Sequence, residues 1–203
     1  MVGKLEKSCL EARSVLDHVS RCLDAVGSVR FNQAFQAFAT GPLRSQQCMI
    51  FSYYPNKVRC FLSYNTRPVV EARILAENYI LHGHKSDPLL HRIRRVKKQD
   101  CVEIIALDEL KLAMSDAYKR MFYSVPGIVD KIAILAKHGE LLLVVNLYRY
   151  LEKGPYTGDE RNELNELLKI AARLVLLHYA SSKDHSLEDP LLSLSDRERQ
   201  TCY

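Results

Sequence analysis

The residues best suited to chemistry in this sequence are tyrosines that could line a small-molecule pocket. Tyrosine carries a hydroxyl at the tip of an apolar ring, and a pocket needs an apolar body with a few aimed polar groups. One acid and one amide elsewhere in the chain could serve beside them. The candidate ligand-binding residues are Tyr53, Tyr64, Tyr79, Asp87, Tyr123, Asn146 and Tyr148.

Each candidate also has a structural interpretation, which the sequence favours when the residue is taken singly. The tyrosines could be core rings whose hydroxyls reach the rim of the core. Asp87 precedes Pro88, and this pair is typical of an N-cap followed by the first residue of a helix.

No pattern typical of catalysis occurs in the chain. There is no GxSxG turn, no phosphate-binding GxxxxGK loop and no GxGxxG. His82-Gly83-His84, with His91 nearby, is weak evidence for zinc, which takes three or four ligands with ordered second shells. A surface loop is the favoured interpretation. We therefore predict no catalytic residue, no metal site and no cofactor.

Composition indicates a globular protein with a modest positive charge. The 203 residues are 47% hydrophobic and 26% charged, with a net charge of +5, which excludes a disordered chain and a small disulfide scaffold. The segment 91–98 holds five Lys or Arg and no acid. It is predicted to be a solvated helix face, with a phosphate-contacting or partner-steering patch as the alternative.

The six cysteines and the N-terminus favour a reduced, cytoplasmic protein. No two cysteines have the CxxC spacing, and most lie in apolar runs. The N-terminus has no apolar signal segment, and no apolar run approaches the ~20 residues that span a bilayer. We expect no membrane partner.

Two helices are predicted to contact a second subunit. Residues 4–26 carry apolar side chains at alternating steps of four and three, a heptad pattern typical of a helix that packs on another helix. The helix from 159 to about 181 is predicted to begin with a capping box, with Thr157 as N-cap and Glu160 as the acid at N3. It is apolar on more than one face. The candidate dimer-interface residues are Leu5, Ala12, Leu16, Val19, Leu23, Leu174 and Leu177. The alternative for residues 4–26 is packing on the chain's own sheet.

Alternating and apolar runs predict about five strands. Two hairpins, 46–54 with 57–64 and 128–136 with 141–150, flank a short strand at 101–106. In 57–64, we expect Val58, Cys60, Leu62 and Tyr64 to share one face. Residues 107–123 are predicted to form one or two helices, with Ser115 as the cap of the second. The fold class is therefore α/β, a GAF/PAS-like α/β/α sandwich with a central, mostly antiparallel sheet.

The last residues are predicted to form a linker and the start of another domain. Residues 182–193 are polar and read as a linker. Residues 194–203 begin a helix, with Ser195 as N-cap and Glu198 three residues later, but provide no length to complete it. We expect residues 1–181 to be one domain and 194–203 to be the truncated start of a second.

The segment Leu194-Ser195-Asp196-Arg197-Glu198-Arg199-Gln200 resembles the opening of the helix-turn-helix domain of LuxR-type regulators. Residues 123–132, 146–149 and 154–157 are similar to the GAF-like N-terminal domains of the same family, and Asp87-Pro88 fits its pattern. The resemblance implies a sensory, homodimeric domain that reaches DNA only through a missing C-terminal domain. The chain has no tryptophan, whereas lactone-sensing members carry a tryptophan and tyrosine cluster.

Three functions remain open at this point. The first is an effector-sensing, dimerising domain of a DNA-binding regulator, in which a small molecule or a packing change alters the dimer. The second is a constitutive dimerisation scaffold that binds no ligand. The third, and most remote, is a small-molecule enzyme on the same fold. Thermal stabilisation by a metabolite would separate the first two.

Overall fold

The computed structural model describes residues 2–54, 57–67, 69–96 and 100–181, with side chains from residue 12 onward except those of 69 and 70. The helices are α1 (Val2–Asp24), α2 (Phe31–Thr40), α3 (Val69–Leu81), α4 (Leu90–Val96), α5 (Asp116–Lys119) and α6 (Gly158–Ser181). Short 3-10 turns cover Gly83–Lys85, Leu107–Glu109 and Lys111–Ala113, and a π turn covers Arg120–Ser124. In the described ranges, no helix combines the length and apolar character needed to cross a bilayer.

Five strands form one antiparallel sheet. They are β1 (Gln47–Tyr53), β2 (Val58–Asn65), β3 (Cys101–Ala106), β4 (Ile128–His138) and β5 (Leu141–Tyr150), in the spatial order β2-β1-β5-β4-β3. Every residue of β1 and β5 is buried, because these central strands are covered on both faces. The predicted α/β sandwich, its antiparallel sheet and both hairpins are confirmed.

The two faces of the sheet support separate hydrophobic cores. On one, which we call the α6 face, Leu143, Val145 and Leu147 pack beneath α2 and α6. On the other, the α3 face, Leu142, Val144 and Tyr148 pack beneath α3, α4 and the segment from α5 to the π turn. The α/β/α layering follows directly from the alternation of side chains along β5.

A bulge in β2 changes which side chains share a face. Ile50 pairs with Leu62, but its neighbour Phe51 pairs with Cys60, so Phe61 is the extra residue. Val58 and Cys60 therefore lie in the α3-face core, while Leu62 and Tyr64 lie on the α6 face. The prediction that these four residues share one face was wrong, because a bulge shifts the period of two by one residue.

The long helix α6 begins with a capping box. The Thr157 hydroxyl accepts a hydrogen bond from the Glu160 amide at 3.1 Å, and a Glu160 carboxylate oxygen accepts one from the Thr157 amide at 2.9 Å. The sequence predicted this cap, and it is confirmed. Leu164, Leu168 and Val175 then recur on the buried side of the helix.

A buried arginine fastens the start of α6 to the sheet. Arg149 of β5 is almost fully buried and donates two hydrogen bonds to the Glu160 carboxylate, at 2.8 and 3.0 Å. Its guanidinium also lies 3.7 Å from the ring centre of Tyr156 and donates to the Arg44 carbonyl. This ion pair lowers the pKa of Glu160 to about 2. The geometry is bidentate, which is the strong form of an arginine–carboxylate pair.

The heptad pattern of α1 divides between the core and the surface. Cys22 is buried and Val19 packs against the α6-face core, so this side of α1 meets the chain's own helices. Leu16 and Leu23 are 68% and 50% exposed. Helix α1 ends at Asp24, and the turn that follows includes Gly27, whose φ of +72° suits glycine.

Residues 107–123 do not form the one or two regular helices that the sequence predicts. Two 3-10 turns precede the four-residue α5 and the π turn. The predicted cap at Ser115 is present, because its hydroxyl accepts a hydrogen bond from the Tyr118 amide at 3.2 Å. The segment instead follows the curved surface of the α3 face.

Candidate functional site

Three of the predicted site residues form a buried chain of hydrogen bonds on the α3 face. The hydroxyls of Tyr53, at the end of β1, and Tyr79, on α3, are hydrogen-bonded to each other. The Tyr79 hydroxyl donates to Oδ2 of Asp87 at 2.5 Å. We call Tyr53, Tyr79 and Asp87 the tyrosine network. All three side chains are buried.

Asp87 accepts hydrogen bonds at both carboxylate oxygens, in line with its structural interpretation, and its role in ligand binding stays a prediction. Its Oδ1 accepts a hydrogen bond from the Leu89 amide at 2.8 Å, ahead of α4, while Oδ2 accepts from Tyr79. Capping orients the carboxylate, and the tyrosine then uses the remaining oxygen. The acid is therefore satisfied without a cation.

Burial and the negative charge of the Asp87 carboxylate together raise the pKa of the tyrosine hydroxyls around it. Burial raises the pKa of Tyr79 and Tyr118 well above the ordinary value, and the negative charge of Asp87 raises it further. The pKa of Tyr123 is raised by the same two causes, with burial the larger. These hydroxyls stay protonated at physiological pH and act as hydrogen-bond donors.

The remaining α3-face candidates lie beside the network on the central strands. Tyr148 and Asn146 are on β5, and Tyr123 lies in the π turn above them. Among the described residues, Oδ1 of Asn146 is buried without a hydrogen-bond partner. An unpartnered buried acceptor costs about 1–3 kcal/mol, which makes this position suited to a donor from a bound molecule.

One predicted site residue lies elsewhere. Tyr64 packs against the α6-face core, across the sheet from the tyrosine network, because of the bulge in β2. The sheet separates it from Tyr53, Tyr79, Asp87 and the other candidates, so the structure places it outside this constellation.

Three residues of the site escaped prediction. Tyr118 and Phe122 cover the network, with ring centres 4.7 Å apart, and come from the segment predicted as an ordinary helix. Lys131 of β4 is buried, and its ammonium lies 5.9 Å from the Tyr123 ring centre. The β4 sequence did hold a signal, because a lysine inside an apolar run is unusual in a buried strand.

The glycine between two histidines is explained by packing. A Cβ on Gly83 would clash with the ring of Phe122, so only glycine allows the ring to lie this close. Within the described part of the chain, no group of three or more His, Cys, Asp or Glu is placed to hold a metal ion. His82 and His84 thus flank a glycine that packs closely against the Phe122 ring on the α3 face.

The space among the aromatic rings is nearly filled. A cavity of about 10 Å³ remains, lined by Met49, Phe51, Leu75, Tyr79, Tyr118, Phe122, Tyr123 and Tyr148. Such a volume holds about one water molecule. An effector of ordinary size therefore requires these rings to move apart.

The predicted dimer residues fall into three groups. Ala12, Leu16 and Leu23 on α1 and Leu177 on α6 are exposed, whereas Val19 is half-buried. Leu174 is buried in the α6-face core, because it lies on the side of α6 that meets the sheet, and is therefore not available to a partner. The side chain of Leu5 lies outside the described residues.

Two arginines of the basic segment, Arg92 and Arg95, are paired with acids. Arg92 forms ion pairs with Glu103 and with Glu109, and Arg95 pairs with Glu103 at 3.0 Å. These contacts tie α4 to β3 at the edge of the sheet. Paired arginines at this edge have less charge to offer a phosphate than the sequence alone indicates.

Comparison with known proteins shows a similarity of fold. No protein-family model and no curated protein matches the sequence. The fold is similar to that of the LBD domain of VqsR from Pseudomonas aeruginosa, at 11% identity and a TM-score of 0.63, covering 81% of this chain and 95% of that one. At this identity, the similarity concerns the fold.

Two further solved structures have related folds. One is CepR2 from Burkholderia cenocepacia, an N-acylhomoserine lactone dependent LuxR family transcription factor, at 14% identity and a TM-score of 0.64. The match covers 85% of this chain and 98% of CepR2. The other is the phycoerythrobilin-bound GAF domain of a cyanobacterial phytochrome, at 9% identity and a TM-score of 0.45, covering 84% and 96%.

Proposed function

We propose that this chain is the effector-sensing and dimerising domain of a LuxR-type transcription regulator. The observation that carries the proposal is the tyrosine network, a buried carboxylate held by tyrosine hydroxyls between the sheet and its covering helices. A core built only for stability favours apolar rings at such positions, because each buried hydroxyl must find a partner. The fold shared with VqsR and CepR2 supports the same conclusion.

In the proposed mechanism, an effector exchanges hydrogen bonds with the network. Its polar group takes the place of one partner of Tyr53, Tyr79 or Asp87, and its apolar part separates the rings around the small cavity. The segment that must move contains the π turn Arg120–Ser124, and π turns are frequent at functional sites. The effector shifts the dimer only by its difference in affinity for the two arrangements.

Thermal unfolding across a small-molecule panel tests the sensing claim. A ligand at 100 times its Kd adds about 2.7 kcal/mol, which raises the melting temperature of a domain this size by roughly 5–10 °C. The panel includes acyl-homoserine lactones, but we expect the response from another class because the chain has no tryptophan.

Two matched variants locate any response. Tyr79→Phe removes the hydroxyl that links Tyr53 to Asp87 and should reduce the thermal shift at least threefold. Tyr64→Phe removes a hydroxyl from the opposite face and should leave the shift unchanged. Equal losses in both variants would contradict the proposed site.

We further propose that α1 contributes the dimer interface through Leu16 and Leu23. Both are exposed on the outer side of a helix that also packs on the core. The double variant Leu16→Asp with Leu23→Asp should sediment as a monomer with its melting temperature retained. The control, Leu112→Asp with Leu151→Asp, changes two other exposed leucines and should remain dimeric. A monomeric wild-type chain would refute the interface.

We propose that DNA is read by a separate helix-turn-helix domain, of which residues 194–203 are the beginning. These residues, and the proposed linker 182–193, lie outside the described residues. Residues 1–203 alone should therefore give no sequence-specific shift of operator DNA. A sequence-specific complex of residues 1–203 with operator DNA would contradict the assignment of DNA binding to a separate domain.

A constitutive dimerisation scaffold is the second candidate, and the nearly filled cavity is the observation that favours it. Tyrosine hydroxyls that are hydrogen-bonded to each other, in a core with almost no free space, need no ligand to satisfy them. Under this alternative, no compound in the panel raises the melting temperature, while the Leu16 and Leu23 variant still dissociates the dimer.

A further inference from the structure

A groove lies between α1 and α6, on the opposite side of the sheet from the tyrosine network. Its volume is about 490 Å³, and it is open to solvent. Val15 of α1 and Leu164 and Leu167 of α6 form its apolar surface, and Gly41 and Pro42 line it from the turn between α2 and β1. The volume lies within the usual range for binding sites. The groove therefore has room for a short run of apolar side chains.

The polar groups at the rim of the groove are already paired with each other. Nδ1 of His18 donates a hydrogen bond to the Ser14 carbonyl at 2.7 Å. The Arg44 guanidinium lies 3.1 Å from the Glu163 carboxylate. An occupant would therefore be held mainly by burial of apolar surface, which is not directional and suits aliphatic side chains.

The side of α6 that faces the groove continues to the end of the helix. Leu167, Ile170, Leu177 and Ser181 are separated by three, seven and four residues, and residues at these steps share one side of a helix. Ile170 is half-buried and Leu177 is 47% exposed, so partly exposed apolar surface follows this side of α6. The chain thus leaves α6 on the side where the groove lies.

The residues after α6 contain an apolar run that suits the groove. These residues, 182–203, lie outside the described residues. In the sequence, 182–186 are all polar, whereas Pro190, Leu191 and Leu192 follow one another. The proline ring fixes one backbone angle before any contact forms, which reduces the conformational entropy lost when such a segment is ordered.

The tail is long enough to reach the groove from the end of α6. At a rise of about 1.5 Å per residue, Ser181 lies about 21 Å from Leu167 along the helix axis. An extended chain spans about 3.3 Å per residue, so Pro190 can lie up to about 30 Å from Ser181. Tethering by a short flexible segment also gives an effective concentration in the millimolar range. A contact of modest intrinsic affinity is therefore enough to keep the groove occupied.

We propose that the groove between α1 and α6 is the docking site of this chain's own segment Pro190–Leu192. The two leucines lie against Val15, Leu164 and Leu167, and residues 182–189 return along α6. Docking holds the chain beyond residue 192 near the start of α6, and release frees it at the end of α6. The inference requires neither an effector nor DNA, so it stands whether or not the chain proves to be a regulator.

A single tryptophan in the full 203-residue chain tests the docking. The chain has no tryptophan of its own, so fluorescence comes from the introduced ring alone when it is excited selectively. Leu191→Trp and Leu192→Trp each report on the docked run, and Lys183→Trp reports on the polar part of the tail. At least one of the first two should emit at shorter wavelength than Lys183→Trp and be quenched by acrylamide at least threefold less. Equal emission and equal quenching in all three proteins would overturn the proposal.

A matched pair of serine substitutions tests the location, in whichever of these two tryptophan variants shows protection. Ser14 and Ser20 are both exposed on α1, but only Ser14 lines the groove. Ser14→Glu places a charge at the rim and should raise acrylamide quenching to the level of Lys183→Trp, because the leucines no longer find an apolar site. Ser20→Glu should change quenching less than 1.5-fold. Melting temperatures confirm that both variants fold, and equal effects on quenching would overturn the assigned groove.

Dilution distinguishes docking within one chain from docking on a second copy. Protection from acrylamide should stay constant over a hundredfold dilution, because a tethered segment keeps its effective concentration. Protection that is lost on dilution would overturn the proposal and assign the groove to the tail of a second copy. Each of these outcomes leaves the thermal shift of Tyr79→Phe untouched, so a failure here is separate from a failure of the proposed function.

Discussion

The two faces of the sheet differ in how their buried ionised groups are paired. On the α6 face, Arg149 is paired with Glu160, and Asp130 accepts hydrogen bonds from the guanidinium of Arg161 and from the Tyr156 amide, although Nε of Arg161 and Oγ of Ser52 have no partner among the described residues. On the α3 face, the buried amides of Asn146 and Gln47 each keep one atom without a partner among the same residues. The ion pairs fix the position of α6 on the sheet, whereas the two amides leave bonding capacity unused on the α3 face.

The difference indicates that the α6 face stabilises the fold and that the α3 face is suited to binding another molecule. Ionised groups paired within a low-dielectric core hold α6 at a fixed position on the sheet. Unused donors and acceptors lower stability but provide contacts for a molecule that enters later, a cost often found at functional sites. Lys131 extends the contrast, because its buried ammonium forms no ion pair within the described residues.

The largest test of the comparison is Arg149→Met on the α6 face. The substitution removes the bidentate donor of the Glu160 carboxylate, which keeps the Thr157 amide and Arg44, and it removes the donor to the Arg44 carbonyl. Removing one partner of a buried pair costs about 3–5 kcal/mol. Because the Glu160 side chain is 23% exposed and keeps other partners, we expect the lower end of this range, measurable as a lower midpoint of urea unfolding.

The control for this prediction is Arg44→Gln. Arg44 pairs with Glu160 and Glu163 at the surface, and exposed pairs of this kind contribute less than about 1 kcal/mol. If Arg149→Met cost no more than this control, the α6 face would not be the rigid half of the molecule.

The α6 face should also lose stability in mild acid through His178. The Gly27 amide donates to Nδ1 of His178 at 3.0 Å, so the folded state holds a neutral ring. Burial lowers the pKa of His178 from 6.5 to about 4. Because the unfolded chain binds a proton that the folded chain does not, this contribution is complete above pH 6.5 and is lost as the pH falls toward 4.

The expected loss from His178 is about 2–3 kcal/mol over that interval, at roughly 1.4 kcal/mol per pKa unit. Urea unfolding between pH 7.5 and 4.5 measures it. His178→Gln cannot be protonated and isolates the histidine from the carboxylates, which titrate mainly below this range. Parallel pH curves for the two proteins would show that His178 is not the titrating group.

On the α3 face, Tyr79→Phe should have a smaller effect. It removes the hydroxyl that bridges Tyr53 and Asp87, at an expected cost of about 1–2 kcal/mol in unfolding free energy. Because Asp87 keeps its bond from the Leu89 amide, α4 should retain its cap. A loss as large as that of Arg149→Met would remove the distinction between the faces.

Local patterns were sufficient to predict the layers of the fold. The two hairpins and the Thr157 to Glu160 capping box depend on neighbours within a few residues, and each is confirmed. Similar reasoning also predicted that Asp87 precedes a helix, since its carboxylate accepts from the Leu89 amide.

The predictions that failed concern residues whose positions depend on contacts between segments that are distant in the sequence. The bulge at Phe61 moved Tyr64 to the other face, and no local pattern marked it. Tyr118 and Phe122 joined the site because the segment after β3 follows the surface of the α3 face instead of forming a regular helix.

The smallest expected effect is a gain in stability, which we expect from a substitution of Asn146. Its Oδ1 is buried without a partner, between Met49 and Ala133 on the neighbouring strands. Asn146→Val removes the unsatisfied acceptor and places a β-branched residue in a central strand, so the free energy of unfolding should rise by about 1 kcal/mol. The same variant should weaken any effector response at the tyrosine network, because the position no longer offers an acceptor. A loss of stability beyond about 1 kcal/mol would mean that the amide is already satisfied, and that the α3 face holds less unused bonding capacity than the comparison requires.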